Sequence, residues 1–407
     1  MIELTFAIAG ALLLIGFLGN YLFKKFSIPD VLILIFLGFL LGPFFKIIDV
    51  NLLQPILPIF ASLALLTILF DAGLNLNLYE VIKGSPRAIS LALLNVFVSI
   101  LITSFLTTIF LNWDLIYGIL LGTIIGGTSS SIVIPLVSRI KNRERVKVLL
   151  SLESVFTDVI VIVLCLTLFQ IISAKSVNLE NALQDVASAF SVGIVIGLIV
   201  GIAWLRVLKS IKGEVYDDIL TLSIALLFYA IVEVLGGSGA IFALMFGLVL
   251  GNGKQITSFL RMEEFEAGKI MKKFQSQISF FLRTFFFVYL GLIISFQDYN
   301  SLIFAGMITL SIFALRWILS EIICWKDEEL VKSKELISIM IPRGLAAAIL
   351  AQFTLKYSLK QANFMINFVT AVILFSVIIS VIGTSLVNKR FSKRERKKEE
   401  KESKTKG

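Results

Sequence analysis

The sequence predicts an all-α integral membrane protein with about thirteen transmembrane helices, and three observations lead to this fold class. Of the 407 residues, 57% are hydrophobic and only 16% are charged, whereas soluble domains carry about a quarter charged residues. Apolar segments long enough to cross a bilayer core of about 30 Å recur along the chain. The connections between these segments alternate between many and few basic residues, as a membrane topology requires.

A length of roughly 20 apolar residues per spanning helix defines thirteen segments, numbered here in chain order. They cover residues 4–23, 29–47, 55–76, 87–111, 115–138, 147–174, 186–208, 217–235, 237–252, 276–296, 301–325, 335–356 and 363–387. The first lacks a basic start and a small-residue cleavage site, so it is interpreted as a membrane helix rather than a signal peptide. Residues 1–388 thus form one membrane domain, and the basic residues 389–407 are expected to be a disordered cytoplasmic tail.

The positions of the lysines and arginines test this assignment. With the C-terminus in the cytoplasm, 30 of the 37 lie on the cytoplasmic side, four lie on the other side and three lie within segments. This positive-inside bias predicts an odd number of spans in a cell membrane, with the N-terminus outside. Topology therefore explains the net charge of +9, and the expected surroundings are a lipid bilayer rather than nucleic acid.

The composition excludes several kinds of chemistry. The chain contains no histidine, which excludes histidine metal sites and Ser-His-Asp triads. Cys165 and Cys324 both lie in apolar runs and do not suggest a disulfide framework. We therefore expect no enzyme, no catalytic residues and no bound cofactor.

An internal repeat relates the two halves of the chain. Because seven segments separate matching positions, the halves run through the membrane in opposite directions. The sequence predicts two inverted six-helix repeats, at about 1–174 and 217–387, joined by a connector helix at 186–208. The matches are LIFLGFLLG at 34–42 with ALMFGLVLG at 243–251, FDAGL at 70–74 with VYLGL at 288–292, and Gly127 with Gly344, at offsets of 209, 218 and 217.

Segments five and twelve contain helix-breaking sequences at matching repeat positions. Segment five holds GGTSSS at 126–131 followed by Pro135, and segment twelve holds Pro342 and Gly344 around Arg343. Glycine, hydroxyl residues and proline weaken a helix, and a broken helix exposes carbonyl oxygens to a small cation. We expect two broken helices that cross near the membrane midplane. For segment five alone, close packing of small residues is the alternative.

Charged side chains near a helix centre cost roughly 2.5–3.5 kcal/mol on insertion scales, so each needs a reason. Asp158 lies in the middle of segment six and is expected to hold either a proton or a cation. Ser154 is four residues earlier on the same helical face, and Thr157 is adjacent. Arg283 is the alternative partner for Asp158.

Four further charged residues within the segments are given structural roles. A lone buried arginine is costly, so Arg343 is expected to pair with Glu153. Arg316 and Glu321 lie toward the cytoplasmic end of segment eleven, where they are expected to snorkel to the surface.

At these residues the sequence resembles the monovalent cation/proton antiporter superfamily, and within it the NhaP-like sodium/proton exchangers. The resemblance covers about residues 5–387 through FDAGL, GGTSSS, ESVFTD, RTFFFVYLGL and PRGLAAA, in that order. It implies a homodimeric inverted-repeat antiporter that works by alternating access and carries only the transported Na⁺ and H⁺. It also implies that Asp158 carries the exchanged ion, with Ser154, Thr128 and Asp71 lining the cation site, and that Glu153 and Arg343 form a buried pair.

The resulting hypothesis is an electroneutral Na⁺ (or Li⁺)/H⁺ antiporter that serves pH homeostasis. Ser129 and Thr157 also belong to the expected ion-binding set, but they replace an acidic residue and an asparagine of the family pattern. K⁺/H⁺ exchange is therefore the nearest alternative. A cation channel is less favoured because it needs no inverted pair of broken helices, and a non-transporting membrane sensor because it usually carries a soluble domain.

Overall fold

The structure, a computed structural model, describes Gly10, Leu14, Phe17 and residues 30–48, 57–76, 86–138, 140, 143–173, 179–211, 216–259, 269–294 and 299–405. All regular elements in these residues are helices. They are α1 (Asp30–Phe39, continued by a π-helical turn at Leu40–Phe44), α2 (Leu57–Asn75), α3 (Pro86–Leu111), α4 (Leu115–Ile124), α5 (Ser130–Ser138), α6 (Glu144–Ser173), α7 (Leu179–Ser210), α8 (Asp217–Val234), α9 (Gly239–Gly251), α10 (Gly253–Phe259), α11 (Lys269–Ile293), α12 (Tyr299–Cys324), α13 (Glu328–Val331), α14 (Lys334–Ile339), α15 (Leu345–Lys356) and α16 (Ala362–Thr405).

Helices lie at the positions of predicted segments two to thirteen, and apart from Gly10, Leu14 and Phe17, segment one lies outside the described residues. Within the described part, six helices are long and apolar enough to cross a membrane alone, namely α3, α6, α7, α11, α12 and α16. Helices α9 and α10 count as a seventh if taken as one span, although they are bent by 77°. The prediction of an all-helical membrane fold is confirmed.

The helices form two groups, each of which packs mainly within itself. One group, the panel, comprises α1, α2 and α7–α11; the other, the core bundle, comprises α3–α6 and α12–α16. In the core bundle, Gly118 and Gly122 allow α4 to lie close against α3. A Cβ at Gly118 would collide with Thr107, and a Cβ at Gly122 would crowd Ser99 and Thr103. The groups meet mainly where α15 packs on α2 and α11 and where α6 packs on α7.

Two glycine crossings hold the panel together. A Cβ at Gly38 of α1 would collide with the carbonyl oxygen of Val288 and the Cα of Gly291 in α11. In the same way, a Cβ at Gly247 of α9 would collide with the carbonyl oxygen of Phe70 in α2. These glycines lie in the repeated motifs of the sequence, where small residues let helix backbones approach closely.

The C-terminal tail differs from its prediction. Helix α16 continues through Thr405, so residues 389–405 are helical rather than disordered. The reason is local: the tail is built largely from Lys, Arg and Glu, which are among the better helix formers, and it continues a helix that is already nucleated.

Candidate ion-binding site

The first predicted break separates α4 from α5. Helix α4 ends at Ile124 and α5 begins at Ser130, which leaves carbonyl groups without partners inside the helix. Arg343 donates from Nη1 to the carbonyl oxygens of Gly127 at 2.7 Å and Gly126 at 3.4 Å. Asn95 also donates to the Gly126 oxygen, at 3.0 Å. The positively charged guanidinium of Arg343 thus lies at the negative, C-terminal end of the α4 dipole, where a positive charge is stabilising.

The second break lies between α14 and α15, and it contacts the first. The backbone N–H of Ser129 donates to the carbonyl oxygen of Pro342 at 2.8 Å. Gly344 is required at this contact because a Cβ would collide with the Ser129 side chain. Ser376 of α16 accepts from the backbone N–H of Arg343 at 3.0 Å. The two breaks are therefore in direct contact, and the crossing of the broken helices near the membrane midplane stays a prediction.

Asp158 of α6 faces the start of α5. Its Oδ2 accepts a hydrogen bond of 2.6 Å from Ser130 Oγ and one of 3.3 Å from the Ser130 backbone N–H. Because the N-terminal end of a helix carries a partial positive charge, it favours a carboxylate. The broken helix therefore contributes backbone and side-chain groups to the carboxylate that the sequence singled out.

A cavity of about 640 Å³ lies between the panel and the core bundle beside Asp158. Asp71 of α2 lies on its panel side, where Asn75 Nδ2 donates to Asp71 Oδ1 at 3.1 Å. The cavity is large enough for a hydrated ion, and its wall mixes apolar side chains with oxygen-bearing ones. Its polar and charged lining residues are Asp71, Asn75, Ser129, Ser130, Ser131, Asp158, Ser276, Gln277, Ser279 and Arg283.

The predicted Glu153–Arg343 ion pair is wrong, because Glu153 pairs with Arg316 instead. The ion pair is bidentate: Arg316 Nη1 donates to Glu153 Oε1 at 2.7 Å, and Arg316 Nη2 donates to Glu153 Oε2 at 2.8 Å. Both side chains are 0% exposed, so Arg316 does not snorkel to the surface. Its Nε donates to the carbonyl oxygen of Ile337 in α14 at 3.1 Å, while Arg343 is occupied by the carbonyls of the first break.

Thr128 connects the first break to this ion pair. Its Oγ1 donates to Glu153 Oε1 at 3.3 Å and lies 3.2 Å from Thr157 Oγ1. Thr157 Oγ1 also accepts from the Thr128 backbone N–H at 3.1 Å. The break, α6 and α12 are thus joined by one buried polar network.

The structure divides the predicted ion-binding residues into two sets. Asp158, Asp71 and Ser129 line the cavity. Ser154, Thr128 and Thr157 are each 0% exposed and do not line it; Ser154 Oγ donates to the carbonyl oxygen of Ser151 at 2.9 Å. Sequence reasoning missed Ser130 and Asn75. Asn75 is four residues after Asp71, so helical spacing could have identified it, whereas the GGTSSS motif marked the region of Ser130 without singling out that serine.

Known proteins resemble this chain in sequence. A family model described as sodium/hydrogen exchanger, transmembrane, matches residues 10–389. The Na⁺/H⁺ antiporter 1 of Methanocaldococcus jannaschii is 26% identical over 365 residues, which cover 86% of this chain and 83% of that protein. The K⁺/H⁺ antiporter NhaP2 of Shewanella sp. strain ANA-3 is 31% identical over 195 residues, 47% of this chain and 34% of that protein.

A solved structure also resembles this fold. The sodium proton antiporter MjNhaP1 from Methanocaldococcus jannaschii, at pH 8, matches with a TM-score of 0.77 over 94% of this chain and 99% of that chain. At 24% sequence identity, this likeness is one of fold.

Proposed function

Because the chain belongs to the sodium/hydrogen exchanger family, we propose that it exchanges Na⁺ or Li⁺ for H⁺ by alternating access. The observation that carries the proposal is the position of Asp158: its carboxylate lies on a cavity between two helix groups, at the start of a broken helix. A carboxylate in this position binds either a proton or a cation. Moving the core bundle against the panel would expose it to each side of the membrane in turn.

The cation site is proposed to be built from oxygen atoms. Hydroxyl, carboxylate and carbonyl oxygens suit a hard cation such as Na⁺. Asp158, Asp71 and Ser129 line the cavity and are the proposed first contacts. Ser154, Thr128 and Thr157 are proposed to contribute when the cation moves deeper between α5 and α6.

Exchange is proposed to be electroneutral. Among the described residues of the core bundle, Asp158 is the one acidic side chain that lines the cavity. Glu153 is already paired with Arg316, so it is not proposed to carry a proton. One carboxylate that exchanges one H⁺ for one Na⁺ moves no net charge.

The inverted repeat and the thirteen spans are part of the proposal, and the panel contacts support the repeat. The offset of 209 takes Gly38 to Gly247, and the offset of 218 takes Gly73 to Gly291. The structure packs Gly38 against Gly291, and Gly247 against the segment of α2 that precedes Gly73. Each crossing is thus the image of the other, as an inverted repeat requires.

The orientation is proposed from the basic residues. The cavity is lined by the C-terminal end of α2 and by the half of α11 that follows its N-terminal end. The connections at these ends carry the basic residues assigned to the cytoplasm, so the cavity is proposed to face the cytoplasm. We further propose a homodimer in the cell membrane that serves pH homeostasis, with the N-terminus outside.

K⁺/H⁺ exchange is the second candidate, and two observations favour it. Ser129, Ser130 and Ser131 give the cavity three neutral hydroxyls at the broken helix, and a relative is named a K⁺/H⁺ antiporter. A site with less negative charge binds Na⁺ less strongly in competition with K⁺, since the smaller ion is held more firmly by water.

Reconstitution into proteoliposomes tests the proposal. With a pH gradient imposed and a pH dye inside, Na⁺, Li⁺ and K⁺ are added in separate runs. If the proposal is right, the fluorescence of the dye recovers when Na⁺ or Li⁺ is added and changes little when K⁺ is added. A response to K⁺ alone would select the second candidate, and no response to any alkali cation would reject antiport.

A further inference from the structure

We propose that Ser130 is a positioning residue that sets the competition between proton and cation at Asp158. The inference rests on the proposed exchange function and adds a residue to its machinery. Ser130 donates from both Oγ and backbone N–H to one oxygen of Asp158, Oδ2. Among the described residues, Asp158 Oδ1 receives no hydrogen bond from the protein. The carboxylate thus has one oxygen held by α5 and the other directed to the exchanged ion.

The chemistry of a serine hydroxyl suits this role. A hydroxyl that donates its hydrogen to a carboxylate stabilises the ionised form over the protonated form. The 2.6 Å distance is typical of a charge-assisted O–H···O⁻ bond. The same hydroxyl keeps two acceptor lone pairs, and Ser130 lines the cavity. Ser130 therefore disfavours the proton on Asp158 and keeps the carboxylate ionised for the cation.

Its place in the fold makes the contact a fixed one. Ser130 is the first residue of α5, and Asp158 lies on α6, against which α5 packs. Both helices belong to the core bundle, so a movement of the bundle against the panel leaves the contact in place. Ser130 would bias Asp158 toward its ionised form on both sides of the membrane.

Other charged groups around Asp158 are unchanged when only Ser130 is altered. Asp71 of α2 and Arg283 of α11 line the same cavity. On α6, Glu153 lies five residues before Asp158 and is paired with Arg316 of α12. Helices α5 and α15 contribute no charged lining residue in the described part. A change in pH profile on removing the Ser130 hydroxyl therefore reports on that hydroxyl.

The test compares Ser130→Ala, Ser130→Thr and the matched control Ser223→Ala in proteoliposomes, with Na⁺ titrated at several pH values. Ser223 lies on α8, is exposed and bonds only within its helix, to Ile219. A hydrogen bond to a charged group is worth about a factor of ten or more. Ser130→Ala should raise the apparent KM for Na⁺ about tenfold at acidic pH and move the pH of half-maximal exchange upward by about one unit. Its maximal rate at high pH and saturating Na⁺ should stay within about twofold.

The threonine variant and the wild type separate the possible failures. Ser130→Thr keeps the hydroxyl and should restore the wild-type pH profile, and Ser223→Ala should match wild type throughout. An unchanged profile in Ser130→Ala, or a fall in maximal rate equal at all pH values, overturns the inference while exchange by the wild type upholds the proposed function. Absence of cation-dependent exchange in the wild type rejects the function itself and this inference with it.

Discussion

The substitution Asp158→Asn replaces one carboxylate oxygen by an amide nitrogen, which removes the charge and keeps the size of the side chain. We expect Asp158→Asn to abolish cation-dependent proton flux, because an amide neither releases a proton nor neutralises a cation. Flux in proteoliposomes measures this, with size-exclusion chromatography to show that the variant is folded. Asp114→Asn is the matched control: Asp114 lies in the connection between α3 and α4 and does not line the cavity. Exchange by Asp158→Asn at a wild-type rate would contradict the mechanism.

The Glu153–Arg316 pair makes a prediction about stability. Removing one member of a buried ion pair costs about 3–5 kcal/mol, because the other charge is left buried and unpaired. We expect Glu153→Gln and Arg316→Met each to lower the melting temperature strongly, and the double variant to lose less than the sum.

A second double-mutant cycle provides the control. In the cycle of Glu153 with Arg343, the coupling should be smaller, because Arg343 bonds to the carbonyls of Gly126 and Gly127. Thermal unfolding in detergent measures both cycles. Equal coupling in the two cycles would be inconsistent with the observed pairing.

Sequence reasoning identified the buried charges but paired them wrongly. Glu153, Arg316 and Arg343 were recognisable because charge inside an apolar segment is rare. Which arginine reaches Glu153 depends on the rotation and depth of α12 and α14 relative to α6, and neither is encoded in local spacing. Arg316 was placed near a membrane surface by its position in the segment, whereas the neighbouring α14 buries it and accepts from it through Ile337.

At the scale of elements, the breaks were predictable because their causes are local. Glycine, proline and clustered hydroxyls weaken a helix wherever they occur, and α4–α5 and α14–α15 are divided at those residues. The serine that contacts Asp158 was not predictable in the same way. Successive helical residues are turned by about 100°, so the exact start of α5 decides that Ser130, rather than Ser129 or Ser131, contacts Asp158.

The glycine crossings of the panel predict a further effect on stability. A methyl group at Gly38 meets the backbone of α11, which cannot yield as a flexible side chain can. We expect Gly38→Ala to destabilise the protein by about 1–3 kcal/mol, the usual cost of overpacking. In the control Gly306→Ala, the nearest atom to a new Cβ is in Phe375 at 3.7 Å, so alanine should be neutral or slightly stabilising. Equal melting temperatures for the two variants would argue against the crossing.

The ends of neighbouring core-bundle helices are joined through Asp327. It accepts from Arg87 Nη1 at 2.6 Å, at the start of α3, and from Arg145 Nη1 at 3.3 Å, at the start of α6. The Leu330 backbone N–H, together with these two guanidinium groups, holds the pKa of Asp327 below its ordinary value of 3.8. The ionised form is therefore favoured by folding, and its contribution is present above that value and is lost as the pH falls through the lowered pKa.

A pH-dependent stability follows for this residue. Asp327→Asn should melt at a lower temperature than wild type at pH 7, and the difference should shrink as the pH is lowered below 3.8. Thermal unfolding in detergent from pH 7 to pH 3 measures it. Glu328→Gln is the control, because Glu328 is 92% exposed and pairs only with exposed Lys332; its difference from wild type should be small at every pH. A gap for Asp327→Asn that persists in acid would show that its cause is not ionisation.

For the whole molecule, the arrangement of charges predicts how transport responds to voltage. If Asp158 alone exchanges one H⁺ for one Na⁺, no net charge crosses the membrane in a cycle. A membrane potential is worth about 2.3 kcal/mol per charge per 100 mV, so it should neither drive nor oppose exchange. We expect Na⁺-dependent proton flux, measured in liposomes at zero potential and at a clamped potential of about −100 mV, to have the same reversal point.

Competition between H⁺ and Na⁺ for the Asp158 carboxylate fixes the pH response of wild-type exchange. Because proton and cation share one carboxylate, the apparent KM for Na⁺ should rise as the pH falls, while saturating Na⁺ should recover the maximal rate. A reversal point that follows the voltage would mean that more than one proton moves per cation. Asp71 would then be the first residue to test as a second carrier, because it lines the same cavity from the panel side. Asp71→Asn would in that event remove the voltage dependence, whereas in a one-carboxylate mechanism it should alter cation affinity and leave exchange voltage-independent.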